Sequence, residues 1–258
     1  MPLFTFRSFR IYVLTVILAL TVIYTVHQLL YSRNWATPLD VVVYPLNADG
    51  RKSTQHYIDN LSLKHFSSID TWFEREARRY DLLNPRPVKV AFGKQVGELP
   101  PDIPSYDHPV INIFWGLSLR WWAFWNTPDD ESNLSRVRVF VLYHSDIEGR
   151  LQHSLGLQKG LLGIVNAYAL SRQNKQNNVV IAHEVLHTVG AVDKYRADGN
   201  PIFPVGYANP KRQPIFPQRS AEIMAGRVPL SLTRSYMAKS LKSTVISPIT
   251  AREINWIE

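Results

Sequence analysis

The longest pattern in the sequence is an unbroken apolar one. The 21 residues from Ile11 to Tyr31 contain no Asp, Glu, Lys or Arg. As a helix rising about 1.5 Å per residue they would reach roughly 32 Å, close to the hydrocarbon thickness of a bilayer. Asp40-Val41-Val42-Val43-Tyr44-Pro45 then predicts a short strand, closed by the proline and the turn-forming Asn47-Ala48-Asp49-Gly50. From about Ser53 to Tyr80, the positions Ile58, Leu61, Phe66, Ile69, Phe73, Ala77 and Tyr80 recur at spacings near three and four. That period predicts one long helix with a buried stripe. Pro87 to Phe92 reads as a second strand and Val110 to Phe114 as a candidate third.

The middle of the chain is less regular. Trp115, Trp121, Trp122 and Trp125 crowd the segment from Phe114 to Trp125. Tryptophan favours the membrane interface, so a membrane-surface contact is one reading; a loop or short helix capping the core is the other. Asp129-Asp130-Glu131-Ser132-Asn133 reads as a polar turn. Arg136 to Tyr143 alternates basic and apolar residues as a half-exposed strand would. Gly-containing turns frame two short stretches, His153 to Leu157 and Leu161 to Ala169, and a helix follows from about Asn177 to Val189. Residues 200–217 carry Pro201, Pro204, Pro210, Pro214 and Pro217, with Pro-Ile-Phe-Pro twice. The duplication is too short for a structural repeat and predicts an extended, ordered loop. Leu232–Leu241 and Thr250–Ile257 read as helical. This order of elements predicts one α+β domain over residues 34–258, preceded by residues 1–33 as a cytoplasmic N-terminus and membrane anchor.

Composition sharpens this picture in three places. The chain has no cysteine, which excludes disulfides, thiolate metal sites and a cysteine nucleophile. Arg7 and Arg10 precede the apolar run while only Arg33 follows closely. The positive-inside bias then places the N-terminus in the cytoplasm and the domain on the far side. A cleaved signal peptide would have an apolar region of only about 7–15 residues and a small-x-small site, and residues 31–36 offer no good one. The net charge is +8; without Arg7, Arg10 and Arg33, the remaining 26 basic residues exceed the 21 acidic ones by five. These charges are scattered, as on a solvated surface, and form no basic-aromatic array for nucleic acid. Gly-rich phosphate loops and Gly-x-Ser-x-Gly elbows are absent from the sequence.

The candidate chemistry lies in Ile181-Ala182-His183-Glu184-Val185-Leu186-His187-Thr188-Val189-Gly190-Ala191-Val192-Asp193. Positions i and i+4 of a helix share a face one turn apart, so His183 and His187 can offer imidazole nitrogens to one ion. Glu184 leans round the helix from His183, within reach of a water on that ion but not itself a ligand. Such a water would be the nucleophile, with Glu184 as the general base that takes its proton and delivers it to the leaving amine. Gly190 can adopt the left-handed conformation that ends a helix sharply. The chain would then double back and bring Asp193 to the ion as third ligand, leaving a fourth position open. An aspartate after a helix can also simply cap the next turn.

His-Glu-x-x-His-x-x-Gly-x-x-Asp resembles the aspartate version of the metzincin zinc motif. Asp193-Lys194-Tyr195 is similar to the Asp-x-Tyr ending found in snapalysin and the immune inhibitor A metalloproteases. Ala221-Glu222-Ile223-Met224-Ala225-Gly226 is similar to snapalysin's Met-turn, with Met224 as the methionine beneath the metal. The resemblance covers residues 181–226. It implies a metzincin-like domain with a twisted, mostly parallel sheet, a long backing helix and a zinc-binding active helix. It also implies a zinc cofactor and a peptide or protein substrate. The stretch opening at His153 would be the edge strand lining the cleft, and Ala225 to Pro229 part of the wall beyond the scissile bond. The sequence departs from the family in its proline-rich lobe and in lacking a tyrosine two residues after the methionine; Tyr195, Tyr207 and Tyr236 are unranked substitutes. Met237, the other downstream methionine, falls in a helical stretch.

The remaining histidines suggest no metal site. His56 and His65 are nine residues apart, and His108 and His144 have no ligand-spaced neighbour. Together these features predict a membrane-anchored zinc endopeptidase. Two alternatives stand beside it: an anchored binding or scaffold protein with a vestigial zinc site, and a zinc hydrolase of a non-peptide envelope component. The sequence leaves the substrate-binding residues and the oligomeric state unspecified.

Overall fold

The computed structural model describes residues 6–102, 104, 108–127, 136–145, 154–157 and 161–258. Its centre is a five-stranded sheet made of β1 (Leu39–Asn47), β2 (Val88–Phe92), β3 (Val137–His144), β4 (Leu155–Leu157) and β5 (Leu162–Tyr168). The spatial order is β2-β1-β3-β5-β4. All neighbours run parallel except β4, which lies antiparallel on β5 at one edge. The fold is thus a mixed α and β one with a mostly parallel sheet, as expected.

Parallel strands are covered on both faces and read as near-continuous apolar runs. Val41, Val43, Val139, Val141 and Val165 point to one face. There they pack with Ile69 and Phe73 of α3 (Ser67–Arg79) and with Ile181 and Val185 of α5 (Asn174–Thr188). Val42, Tyr44, Phe140, Leu162 and Ile164 point to the other face, against Leu119, Trp122 and Ala123 of α4 (Pro109–Trp125). Each of these fully buried branched side chains contributes about 1.5–3 kcal/mol of transfer free energy, so both helix layers are needed to hold the sheet.

Several expectations fail, each for a local reason. The helix foreseen from Ser53 to Tyr80 is two helices, α2 (Lys52–Asp59) and α3, separated by a 3₁₀ turn at Leu63–His65. Ser62 and His65 cap that turn reciprocally, through side chain and backbone, and this local bonding competes with the continuous ladder. Val110–Phe114 is not a strand: with the whole tryptophan run it forms α4, begun by Pro109 in its first turn. Neither the loop nor the short-helix reading anticipated 17 residues of helix. Because α4 covers the second face, β3 is central and mostly buried, with only Arg138, Leu142 and His144 partly open. Leu232–Leu241 is not helical. It holds β8 (Ser235–Met237), which pairs antiparallel with β7 (Arg227–Pro229), so Met237 lies in a strand. The final helix, α6, is short (Pro248–Glu253) and is capped by Ser247. Asp129–Asn133 and His153 lie outside the described residues. The proline-rich segment is built of turns and isolated bridges rather than an extended run: Phe203 and Phe216 pack on a buried Tyr207, and Gln218 hydrogen bonds to both ends of 209–215.

α1 spans Phe6–Ser32, and by length and composition it is able to cross a membrane. Only Gln28 and Ser32 of it are buried. Directly after it the chain is fastened to the far end of the sequence. Arg33 donates to the Glu253 carbonyl and, at 2.8 Å, to Asn255 Oδ1. Trp35 donates from Nε1 to the Ile254 carbonyl at 2.6 Å and packs edge-on against Trp256.

Candidate metal centre

α5 is positioned before its histidines are reached. Asn177 hydrogen bonds both backbone groups of Tyr168 at the end of β5. Asn178 donates to the His65 carbonyl and Ser68 Oγ beside α3. Val179, Ile181, Ala182, Val185 and Leu186 bury the helix, and the side chains of His183 and His187 remain 12% and 17% exposed. The helix stops as foreseen. Gly190 has a φ of +107°, the Ala191 N–H bonds the Leu186 carbonyl, and the Gly190 N–H bonds that of His187. These are the two bonds of a Schellman motif, and they turn the chain back over the helix.

That reversal assembles the site. The Ala191 carbonyl accepts from His187 Nδ1 at 2.8 Å, while the Ile223 carbonyl accepts from His183 Nδ1 at 3.0 Å. A carbonyl can only accept, so both Nδ1 atoms carry the proton and both Nε2 atoms are bare lone pairs in the neutral rings. The two Nε2 atoms lie 3.0 Å apart, and each is 3.1 Å from Asp193 Oδ1. The other oxygen, Oδ2, accepts from the Tyr195 hydroxyl at 3.1 Å. Among the described residues, His183, His187 and Asp193 form a group whose donor atoms could hold a metal ion.

Three acceptors facing one another repel unless a positive charge sits among them. In the protein by itself a proton can fill that role. Burial opposes a charge on His183, but the Asp193 carboxylate and the nearby Glu184 outweigh it and raise its pKa to about 9. Burial pushes Asp193 up in turn, yet its two imidazole partners hold it well below the usual carboxylate range.

Glu184 lies on the same helix, 3% exposed. Burial raises its pKa, against the pull of His183 and His187. Among the described residues its Oε2 has no hydrogen-bond partner, which is costly for a buried carboxylate and calls for an explanation. The edge strand β4 crosses close by. A Cβ on Gly156 would meet the Glu184 carbonyl and His187 Cβ at 2.6 Å and Glu184 Oε2 at 3.1 Å, so only glycine allows the strand to approach the helix so closely.

Met224 is fully buried, in the turn between β6 (Ala221–Glu222) and β7. The carbonyl just before it holds His183, and its own carbonyl accepts from the Lys194 N–H at 3.0 Å. The turn therefore touches both sides of the ligand group. Sequence reasoning missed what supports it. Glu222 is fully buried, and one carboxylate oxygen accepts from the N–H groups of Met224 (2.6 Å) and Ala225 (3.1 Å). The other accepts from Thr250 Oγ1 (2.6 Å) and the Ser247 N–H (3.3 Å). It also missed the ion pair of buried Lys194 with partly exposed Glu253 at 2.7 Å, which braces the loop carrying Asp193. Of the three tyrosines left unranked, Tyr195 touches the site, Tyr207 is buried in the proline-rich lobe and Tyr236 lies on β8. His144 bonds Asn166, His56 and His65 sit on and after α2, and none of these joins the group. No known family model matches the chain, and comparison with curated proteins finds no match.

Proposed function

We propose that this chain is a zinc-dependent endopeptidase of metzincin type, anchored by α1, with its catalytic domain outside the cytoplasm. The observation that carries the reading is the convergence of three ligand-type atoms, two imidazole Nε2 and one carboxylate oxygen, with the buried Glu184 beside them, whose Oε2 has no partner among the described residues. A tetrahedral zinc ion with bonds of about 2.0–2.1 Å would space its ligand atoms about 3.3 Å apart. The 3.0–3.1 Å edges of the His183, His187 and Asp193 group fit that with small outward adjustment. The donor set, two imidazoles and one carboxylate, is one that zinc accepts in open catalytic sites. Zinc held there supplies Lewis acidity, making water more acidic and polarising a carbonyl.

The chain's own residues would do the rest. His183 and His187 are kept in the ligating tautomer by the carbonyls of Ile223 and Ala191, and Tyr195 orients Asp193. Glu184 Oε2 takes the proton of the attacking water and releases it to the amine nitrogen of the departing peptide; its raised pKa suits a group that must hold that proton for a time. Gly156 brings the edge strand over this carboxylate, where an extended peptide can pair with strand backbone. Arg7 and Arg10, in the first turns of α1 and before its uncharged run, support the cytoplasmic orientation of that end.

The test is metal analysis of the purified full-length protein together with cleavage of an unbiased peptide library. About one zinc per chain and metal-dependent cleavage are expected; a metal-free protein that still cleaves, or a zinc-loaded one that cleaves nothing, sinks the reading. A second expectation concerns Glu222. Glu222→Gln should loosen the turn whose carbonyl holds His183, lowering zinc affinity by about 10–100-fold, the usual scale when support behind a ligating histidine is lost. Titration with zinc measures it, and wild-type affinity would separate the turn from the site.

A further inference from the structure

We infer that the outer face of α4 lies in the lipid bilayer beside α1, so that the sheet face it covers is turned toward the membrane. The inference rests on the reading of α1 as a membrane-spanning helix. α4 buries Leu119, Trp122 and Ala123 on the sheet. Its other side is largely apolar as well: Val110, Ile113, Phe114, Leu117, Trp121, Phe124 and Trp125 are 51–67% exposed, with Asn112 and Ser118 the exposed polar residues among them. The helix contains no acidic residue, and Arg120 is its one basic residue. A helix apolar all round belongs in a core or in lipid, and α4 has protein on one side. Its exposed aromatics Phe114, Trp121, Phe124 and Trp125 alone present on the order of 500 Å², toward the top of the range of about 300–600 Å² for the largest patch on a soluble monomer, before the exposed aliphatic side chains are added.

The neighbour of α4 says what covers it. Arg120 lies within electrostatic reach of Tyr24 on α1. α4 thus has as its neighbour a helix whose exposed side chains are also largely apolar. Tryptophans cluster at the C-terminal end of α4, as in the aromatic belts of the membrane–water interface. Bilayer lipid is thus the occupant. A second copy of the chain is the rival.

The absence of cysteine from the sequence makes the test direct, since each introduced cysteine is unique. Leu117→Cys and Phe124→Cys on α4, Leu18→Cys on α1 and Leu83→Cys on the domain surface all replace exposed side chains. Each full-length variant is spin-labelled and reconstituted into palmitoyl-oleoyl phosphatidylcholine vesicles, and collision with oxygen and with a water-soluble nickel chelate is measured. Loss of nickel collision with retention of oxygen collision is expected at Leu117 and Phe124, as at Leu18. Nickel collision at both α4 positions equal to that at Leu83, with Leu18 still in hydrocarbon, would overturn the inference and leave the anchor standing. Loss of both collisions with dipolar broadening between labels would assign the face to a second copy and overturn it too. Nickel access at Leu18 itself would remove the membrane reading and the inference with it. The unaltered protein gives an independent measure: its tryptophan fluorescence should be quenched by brominated acyl chains, and unquenched emission counts against lipid contact.

Discussion

Glu184→Gln should leave zinc bound and the fold intact while peptide cleavage falls by about 10²–10⁴-fold or more, the usual contribution of a general acid–base group. The structure makes this substitution clean. Glu184 contributes no donor atom to the group of His183, His187 and Asp193, and among the described residues its Oε2 holds no hydrogen bond whose loss would disturb the helix. Glutamine keeps the shape of the side chain and removes its basicity. Steady-state cleavage of a peptide selected from the library, run beside metal analysis, gives both readouts. Undiminished turnover by a zinc-loaded Glu184→Gln protein would rule out the proposed mechanism. It would also rule out any role for the buried carboxylate in handling the proton.

Removing the ligands should have the opposite signature, with metal and activity lost together. In His183→Ala combined with His187→Ala, the two Nε2 atoms that face Asp193 Oδ1 at 3.1 Å are gone. One exposed carboxylate oxygen cannot hold zinc, so retention after dialysis should fall to background. Asp193→Ala should be milder, because two imidazoles remain with their tautomers still fixed by the Ile223 and Ala191 carbonyls. Zinc should weaken without vanishing, and cleavage should fall with occupancy. Circular dichroism should show α5 folded throughout, since its buried side is Val179, Ile181, Val185 and Leu186 rather than the ligands. Full zinc stoichiometry in the double variant would place the metal elsewhere.

The site was legible in the sequence wherever its geometry is local. The four-residue spacing of His183 and His187 fixes a shared helix face, and Gly190 announces the reversal that delivers Asp193. What supports the group is not local, and no spacing reveals it. Glu222 meets Ser247 and Thr250 across 25 to 28 residues, Glu253 meets Lys194 across 59, and Gly156 matters only because a side chain there would run into another element, α5. The fold divides in the same way. The valine-rich β1 and the amphipathic α3 carry clear periods. α4 hid because a helix apolar on both sides has no period to read, so Val110–Phe114 passed for a strand. The hairpin of β7 and β8 has three residues in each strand, too few for alternation to be distinguished from a helical pattern.

On the proposed anchoring, the fastening of Arg33 and Trp35 to residues 253–256 would set how far the domain can reach. Glu253 gives its carbonyl to Arg33 and its carboxylate to Lys194, the neighbour of Asp193. One residue thus joins the end of α1 to the loop that completes the metal group, with no flexible linker between them. A catalytic domain on a free tether samples a hemisphere of heights set by linker length. On the proposed anchoring this one would work at a single altitude above the bilayer, like a blade set in a fixed holder. It would discriminate among substrates by how far their extended segments stand from the membrane, before any pocket reads a side chain.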